Sequence, residues 1–304
     1  MQIASPFTAY LASEKFLPEL LNEIKDVISV HGQLVLARGE PQTSVWAQQI
    51  WLNPVVLEIA SIGEAVKALR GAGGLWASYS FENHRRVQLI EEQLPKLRPR
   101  VLDFLAEPPA APLGAFTLLD KNVLLYSAQT NSPFPLGLVQ FNENKTMPPS
   151  RAYLKLWELF TLHGVKPSPG EKVVDFGSCP GGWTWVLQQM GCEVVSIDKA
   201  PLDEKVARLP RVKFMKTDAF SLKPQDLGQI DWFFSDIICY PPKLFELISN
   251  WRESGLCKNF VCTIKFQHET DYETLRKFQS LPGARVIHLH HNKHEVTAII
   301  LGQS

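Results

Sequence analysis

From residue 172 onward the chain alternates short apolar runs with amphipathic stretches, and this constrains its fold more than any other feature. The runs are KVVDFG, EVVSID, VKFMKT, DWFFSD, NFVCTIKF, RVIHLHH and EVTAIIL. GWTWVLQQM, PPKLFELISNW and TDYETLRKFQ carry helical spacing between them. Several of the runs are apolar at consecutive positions, as in strands covered on both faces. Strand–helix alternation of this kind predicts a doubly wound α/β sheet with parallel strands. The last two runs are separated by little more than NKH. So short a link permits only an antiparallel pair. The expected architecture is a seven-stranded Rossmann-like sheet whose last strand is reversed.

The first half is less regular. EKFLPELLNEIKDVI and SIGEAVKALRGAGG read as helices, the second ending in a glycine cap. RRVQLIEEQLPKLRPRVLDFL reads as helical with proline interruptions, and EPPAAP as a breaker. GQLVLARG and WAQQIWLN read as strands, and GAFTLLDKNVLLYSA as a hairpin. These make a smaller α+β region over residues 1–145, followed by a second domain over 146–304. The boundary is set by the polar, proline-containing stretch NENKTMPPS.

With 304 residues, 45% of them hydrophobic, two cores are affordable. No apolar run approaches the roughly 18–20 residues that span a bilayer, and MQIASPFTAYLASEKF does not read as a secretory leader. The five cysteines are odd in number and form no CxxC pair, which suits reduced thiols in the cytoplasm. Basic and acidic residues balance at 31 each, so no global charge advertises a nucleic-acid partner.

Chemistry concentrates at the ends of the predicted strands. DFGSCPGGW joins the first strand to a helix. Gly177, Gly181 and Gly182 let a ligand approach the backbone closely. Their spacing is not the G-x-G-x-x-G of dinucleotide sites, and the Walker lysine is absent. A plain strand–turn–helix connection is the bland alternative. Asp198, Asp218 and Asp236 each follow a strand, at the edge where open α/β sheets bind ligands. Asp198 can accept from both hydroxyls of an adenosine ribose, and Asp218 from an adenine amino group. An acidic lining also suits a cationic cofactor such as a sulfonium. Each acid alone would equally serve as a helix cap.

These motifs resemble the FtsJ/RrmJ family of S-adenosylmethionine-dependent RNA ribose 2′-O-methyltransferases. The family turn, G-A-x-P-G-G-[WF], is similar to GSCPGGW with Ser178 in place of alanine. The resemblance implies a Lys-Asp-Lys-Glu catalytic set at Lys155, Asp236, Lys265 and Glu295. It also implies S-adenosylmethionine as cofactor, held at Gly177, Cys179, Pro180, Gly181, Gly182, Trp183, Asp198, Asp218 and Asp236, with no metal required. NSPFPLG, MPPSRAYLKL and HEVTAII resemble the RlmM branch, which methylates a cytidine ribose of large-subunit ribosomal RNA. Members of that branch carry a ferredoxin-like segment and an RNA-binding THUMP domain first. The resemblance therefore implies a trimmed module of that kind over residues 1–145, and ribosomal RNA as partner.

The chemistry suits the reaction. A ribose 2′-hydroxyl must be aligned with the methyl carbon and relieved of its proton. A lysine can accept that proton only when partly neutral, and a neighbouring cation favours the neutral form. Lys265 is the expected base, with Lys155 as that cation and Asp236 and Glu295 as orienting groups.

Other features compete for attention. His288, His290, His291 and His294 raise a metal site, against the plainer reading of a polar strand edge and turn. Cys179 raises a nucleophilic thiol, but no histidine accompanies it in sequence. Arg85, Arg86, Lys96, Arg98 and Arg100 could meet phosphates or simply face solvent. Trp183 and Trp185 read as core. Two other functions compete with methyl transfer: an RNA-binding protein with an inactive methyltransferase domain, and a nicotinamide-dependent oxidoreductase.

Overall fold

A computed structural model describes residues 6–110 and 113–302. The last two positions of the EPPAAP breaker and the first five residues of the chain lie outside the described residues. The chain divides into two compact units, 1–142 and 143–304.

The N-terminal unit holds two larger sheets. In the first, Phe7–Ala12 lies between Ala47–Leu52 and Leu34–Arg38, and Val27–His31 flanks Leu34–Arg38; all these neighbours are antiparallel. The helix Leu17–Glu23 joins Phe7–Ala12 to Val27–His31, which makes a split β-α-β unit. Phe7–Ala12 is buried at all six positions. It therefore lacks the polar alternation that marks a half-exposed strand, and the sequence reading passes over it. In the second sheet, Leu113–Asp120 and Val123–Ser127 form the expected hairpin. The helix Ile62–Ala72 packs on this sheet through Ala65, Val66 and Leu69. Ser61 accepts from the Glu64 amide while Glu64 accepts from the Ala60 amide, and Gly73 (φ 77°) ends the helix.

Two expectations fail here. The helix read over EKFLPELLNEIKDVI covers only Leu17–Glu23, and Val27 and Ile28 open the strand Val27–His31. The helix beginning at His84 stops at Glu91 instead of running on toward Leu105. Pro95 and Pro99 each lack an amide donor, and residues 95–100 have no regular structure.

The C-terminal unit is the α/β sheet. Its strands are β1 (Lys172–Phe176), β2 (Glu193–Asp198), β3 (Val212–Lys216), β4 (Trp232–Ser235), β5 (Asn259–Lys265), β6 (Ala284–Ile287) and β7 (Glu295–Ile300). Their order is β3-β2-β1-β4-β5-β7-β6. β1 to β5 run parallel, and β7 is antiparallel to both β5 and β6. The reversal expected from sequence is present. The link before it is longer than expected, because β6 ends at Ile287 and HLHH belongs to the connection 288–294. Four helices of eight or more residues accompany the sheet: α1 (Tyr153–Leu162), α2 (Gly182–Gln189), α3 (Pro241–Glu253) and α4 (Tyr272–Gln279).

Two consequences of this topology position the site. The carboxyl ends of β1 to β5 share one edge of the sheet, and the start of the reversed β7 lies at the same edge. In the β5–β7 register Lys265 sits opposite Glu295. Helix α1 is buried along most of its length, and Lys155 and Glu158 are buried with it. A charged group in that position needs partners.

Candidate active site

The turn after β1 is built largely by backbone. Gly177 and Ser178 donate amides to the Ile197 carbonyl, at 2.9 and 3.3 Å. Cys179 donates its amide to Asp198 Oδ2 at 3.0 Å, and Ala200 to Asp198 Oδ1 at 2.9 Å. Asp198 thus fastens two adjacent loops. Gly177 has φ 75°, and a Cβ there would lie 2.6 Å from the Ile237 Cα. Only glycine fits where the turn passes under the segment that follows β4. Gly181 (φ 116°) caps α2, and the Cys179–Pro180 peptide is cis.

A cleft of about 720 Å³ opens at this edge, a size that accommodates a small-molecule ligand. Gly177, Cys179, Pro180, Asp198 and Asp218 line one side, and Asp236 and Lys265 line the other. Gly181, Gly182 and Trp183 stand behind the wall. Trp183 is buried and donates its indole N–H to the Ala152 carbonyl at 3.0 Å. Asp218 pairs with Lys199 at 2.8 Å and accepts from the Phe220 amide. The hydrogen bond from Lys199 is the main reason its carboxyl sits below the usual range.

The second half of the site is a compact ionic cluster. Lys155 Nζ lies 3.0 Å from Asp236 Oδ1 and 2.6 Å from Glu295 Oε1. Lys265 Nζ lies 3.1 Å from the same Asp236 oxygen and also donates to the Asp236 carbonyl. None of the four side chains is more than 17% exposed. Burial works against the charge on Lys155, but Asp236 and Glu295 outweigh it, and its pKa is raised. Lys155 is therefore a fixed ammonium. It stands behind Asp236, while Lys265 reaches the cleft itself.

Two carboxylates that the sequence reading gave no role help to build the site. Glu158, one turn after Lys155, accepts the amides of His290 (2.7 Å) and His291 (3.1 Å), and lies 2.7 Å from His291 Nδ1. It ties the 288–294 connection, and hence the entry to β7 and Glu295, to α1. An acid three residues after Lys155 in an otherwise apolar helix was the available signal. Asp175, inside β1, is fully buried. The Thr184 hydroxyl donates to its Oδ2 at 2.7 Å and lies 2.7 Å from Ser196 Oγ. Its Oδ1 has no hydrogen-bond partner among the described residues. Burial pushes its pKa up to about 7, and the charges of Asp236 and Asp198 add to that. An acid in the middle of VVDF was the signal here.

The histidines at 288–294 belong to a connection rather than to one strand face, and no group of three metal-ligating side chains converges among the described residues. Cys179 directs its thiol to the Pro201 carbonyl at 3.3 Å, and burial raises its pKa, the opposite of an activated nucleophile. Trp185 is buried against Tyr153 and Trp157. Among the described residues no helix is long and apolar enough to cross a membrane.

Comparison with known proteins gives this geometry a family. Residues 148–291 match the model of the FtsJ-like methyltransferase family. The chain is also similar to proteins named ribosomal RNA large subunit methyltransferase M. That of Halorhodospira halophila is 34% identical over 161 residues, which cover 49% of this chain and 46% of the relative. That of Marinobacter nauticus is 31% identical over 229 residues, covering 66% and 62%. The chain spans about half the length of the curated relatives it matches. A solved S-adenosylmethionine-dependent O-methyltransferase of Thermotoga maritima overlaps at a TM-score of 0.33 and 18% identity, over 45% of this chain and 62% of that one. The C-terminal unit of this chain is an FtsJ-like methyltransferase domain.

Proposed function

We propose that the chain transfers the methyl group of S-adenosylmethionine to a ribose 2′-hydroxyl of RNA, and that the target is a cytidine of large-subunit ribosomal RNA. The observation that carries this reading is the Lys155–Asp236–Lys265–Glu295 cluster at the rim of the cleft. The names of the relatives support the choice of RNA.

The cleft suits the cofactor. Gly177, Cys179 and Pro180 offer a floor without bulk for the methionine end. Asp198 keeps lone pairs for ribose hydroxyls beyond its two backbone bonds, and Asp218 would accept from an adenine amino group. Gly181, Gly182 and Trp183 hold the turn in shape from behind. When bound, S-adenosylmethionine supplies an electrophilic methyl group on a sulfonium.

The chain's own residues then act on the acceptor. Lys265, at the cleft surface, takes the 2′-hydroxyl proton on Nζ in its neutral form. Lys155, held charged by Asp236 and Glu295, is the neighbouring cation, set on the same Asp236 oxygen as Lys265. Asp236 bridges both amines through one oxygen and fixes their spacing. Glu295 and Glu158 keep Lys155 and the start of β7 in register. The split β-α-β sheet of the N-terminal unit supports reading residues 1–145 as a reduced ferredoxin-like, THUMP-like module that binds RNA. The five free thiols suit a cytoplasmic setting.

The test has two arms. Titration with S-adenosylmethionine and with NAD should give saturable binding of the first only. Labelled methyl groups should then move from S-adenosylmethionine to ribosomal RNA lacking the modification. Binding of NAD, or cofactor binding with no transfer to RNA, would overturn the reading.

A further inference from the structure

The segment between β4 and α3, Asp236 to Tyr240, forms one wall of the cleft. It carries the two most exposed large apolar side chains among the described residues. Ile238 is 79% exposed and Tyr240 62%, whereas the next, Val101, is 44%. Single exposed apolar side chains are ordinary. Two of them on the wall of a reactive cleft, within four residues of Asp236, suggest a surface that is covered when the site is occupied.

The backbone beneath Tyr240 is fixed while its ring is not covered. Tyr240 is the N-cap of α3, with φ −68° and ψ 142°, and Pro241 and Pro242 follow it. Its carbonyl accepts the amides of Lys243 and Leu244, at 3.0 and 3.2 Å. A rigidly mounted, exposed aromatic loses little freedom on binding. Amines surround it. Lys265 and Lys199 line the same cleft, and Lys243, one turn into α3, holds its ammonium 3.9 Å from the centre of the Phe220 ring. An aromatic face in a cleft that also carries Lys243, with its ammonium over an aromatic ring, complements a nucleotide, a flat unit with an anionic phosphate, better than an apolar peptide. Four residues span at most about 14 Å, so the ring stays within reach of a base whose ribose faces Lys265.

Resting on the methyl-transfer reading above, we infer that Tyr240, with Ile238 at its side, is the stacking platform for the base of the target nucleotide. The acceptor is accordingly an unstacked nucleotide, either single-stranded or turned out of its helix. Lys243 faces the adjoining phosphate.

The experiment compares wild type, Tyr240→Ala and Tyr240→Phe. One readout is quenching of a single-stranded oligoribonucleotide carrying one 2-aminopurine, with S-adenosylhomocysteine present. The other is steady-state methyl transfer to unmodified ribosomal RNA, with cofactor affinity as the control for folding. Stacking of one base predicts that Tyr240→Ala loses the quench and about tenfold to a hundredfold of kcat/KM for RNA. Its cofactor affinity should match wild type, and Tyr240→Phe should keep both readouts. If wild type methylates RNA and Tyr240→Ala follows it within twofold, the platform is wrong and the methyl-transfer reading stands. If no RNA is methylated but the quench occurs and depends on Tyr240, the platform stands and the reading falls. Neither transfer nor quench would remove both.

Discussion

The two halves of the C-terminal sheet edge use opposite means. Beside β1 and β2, main-chain groups and glycines make the wall, and Asp198 spends both oxygens on amides. Beside β4, β5 and β7, long charged side chains meet in a buried cluster in which one Asp236 oxygen serves two lysines. The difference separates holding from reacting. Backbone gives a shape that cannot titrate, whereas the ionic cluster keeps two amines at fixed distance on one carboxylate, the arrangement to which we assign the proton transfer. The halves touch where Gly177 passes under Ile237.

The sharpest way to test that division is Lys265→Ala. Loss of a general base predicts transfer reduced about 100- to 10,000-fold, with cofactor affinity changed no more than a few-fold by calorimetry. Near-normal turnover would place the base elsewhere. Gly177→Ala should blur the division. A side chain at φ 75°, set against the Ile237 backbone, costs about 1–3 kcal/mol. It should lower the melting temperature, cofactor affinity and transfer together, whereas an effect confined to transfer would break the comparison.

Asp175, beneath the backbone half, gives a pH test. Its folded-state pKa is raised from 3.8 to about 7 by burial. The folded chain therefore holds this proton more tightly than the unfolded chain. Stability from this group declines as pH rises from about 4 to about 7 and is level above. Melting curves across that range should show a steeper decline in wild type than in Asp175→Asn. Equal slopes would mean that Asp175 is ionised at little cost. The smallest effect belongs to Cys179→Ser. Its thiol meets the Pro201 carbonyl, which a hydroxyl can also do, so transfer should stay within about twofold, and a large loss would restore a chemical role for the sulfur.

The C-terminal sheet was legible because its strands are apolar on both faces and punctuated by strand-end acids. The reversed last strand followed from one short link, although HLHH proved to be connection and not strand. Lys155, Asp236, Lys265 and Glu295 were legible as a set only through the family resemblance. Their meeting depends on the β5–β7 register, which no local pattern encodes. Glu158 and Asp175 went unread because a buried acid shows its partners only in three dimensions. In the N-terminal unit Phe7–Ala12 lacked alternation for the same reason that it is central, and Pro95 and Pro99 ended a helix that periodicity would have extended.

The central claim is that the oxygen facing Lys265 is a ribose 2′-hydroxyl, and alkali tests it most directly. Strand cleavage by alkali needs a free 2′-hydroxyl. Ribosomal RNA labelled by this protein from methyl-labelled S-adenosylmethionine would be hydrolysed with alkali and its products separated. The account predicts the label in an alkali-resistant dinucleotide beginning with 2′-O-methylcytidine. Label released in mononucleotides, on a base, would contradict it.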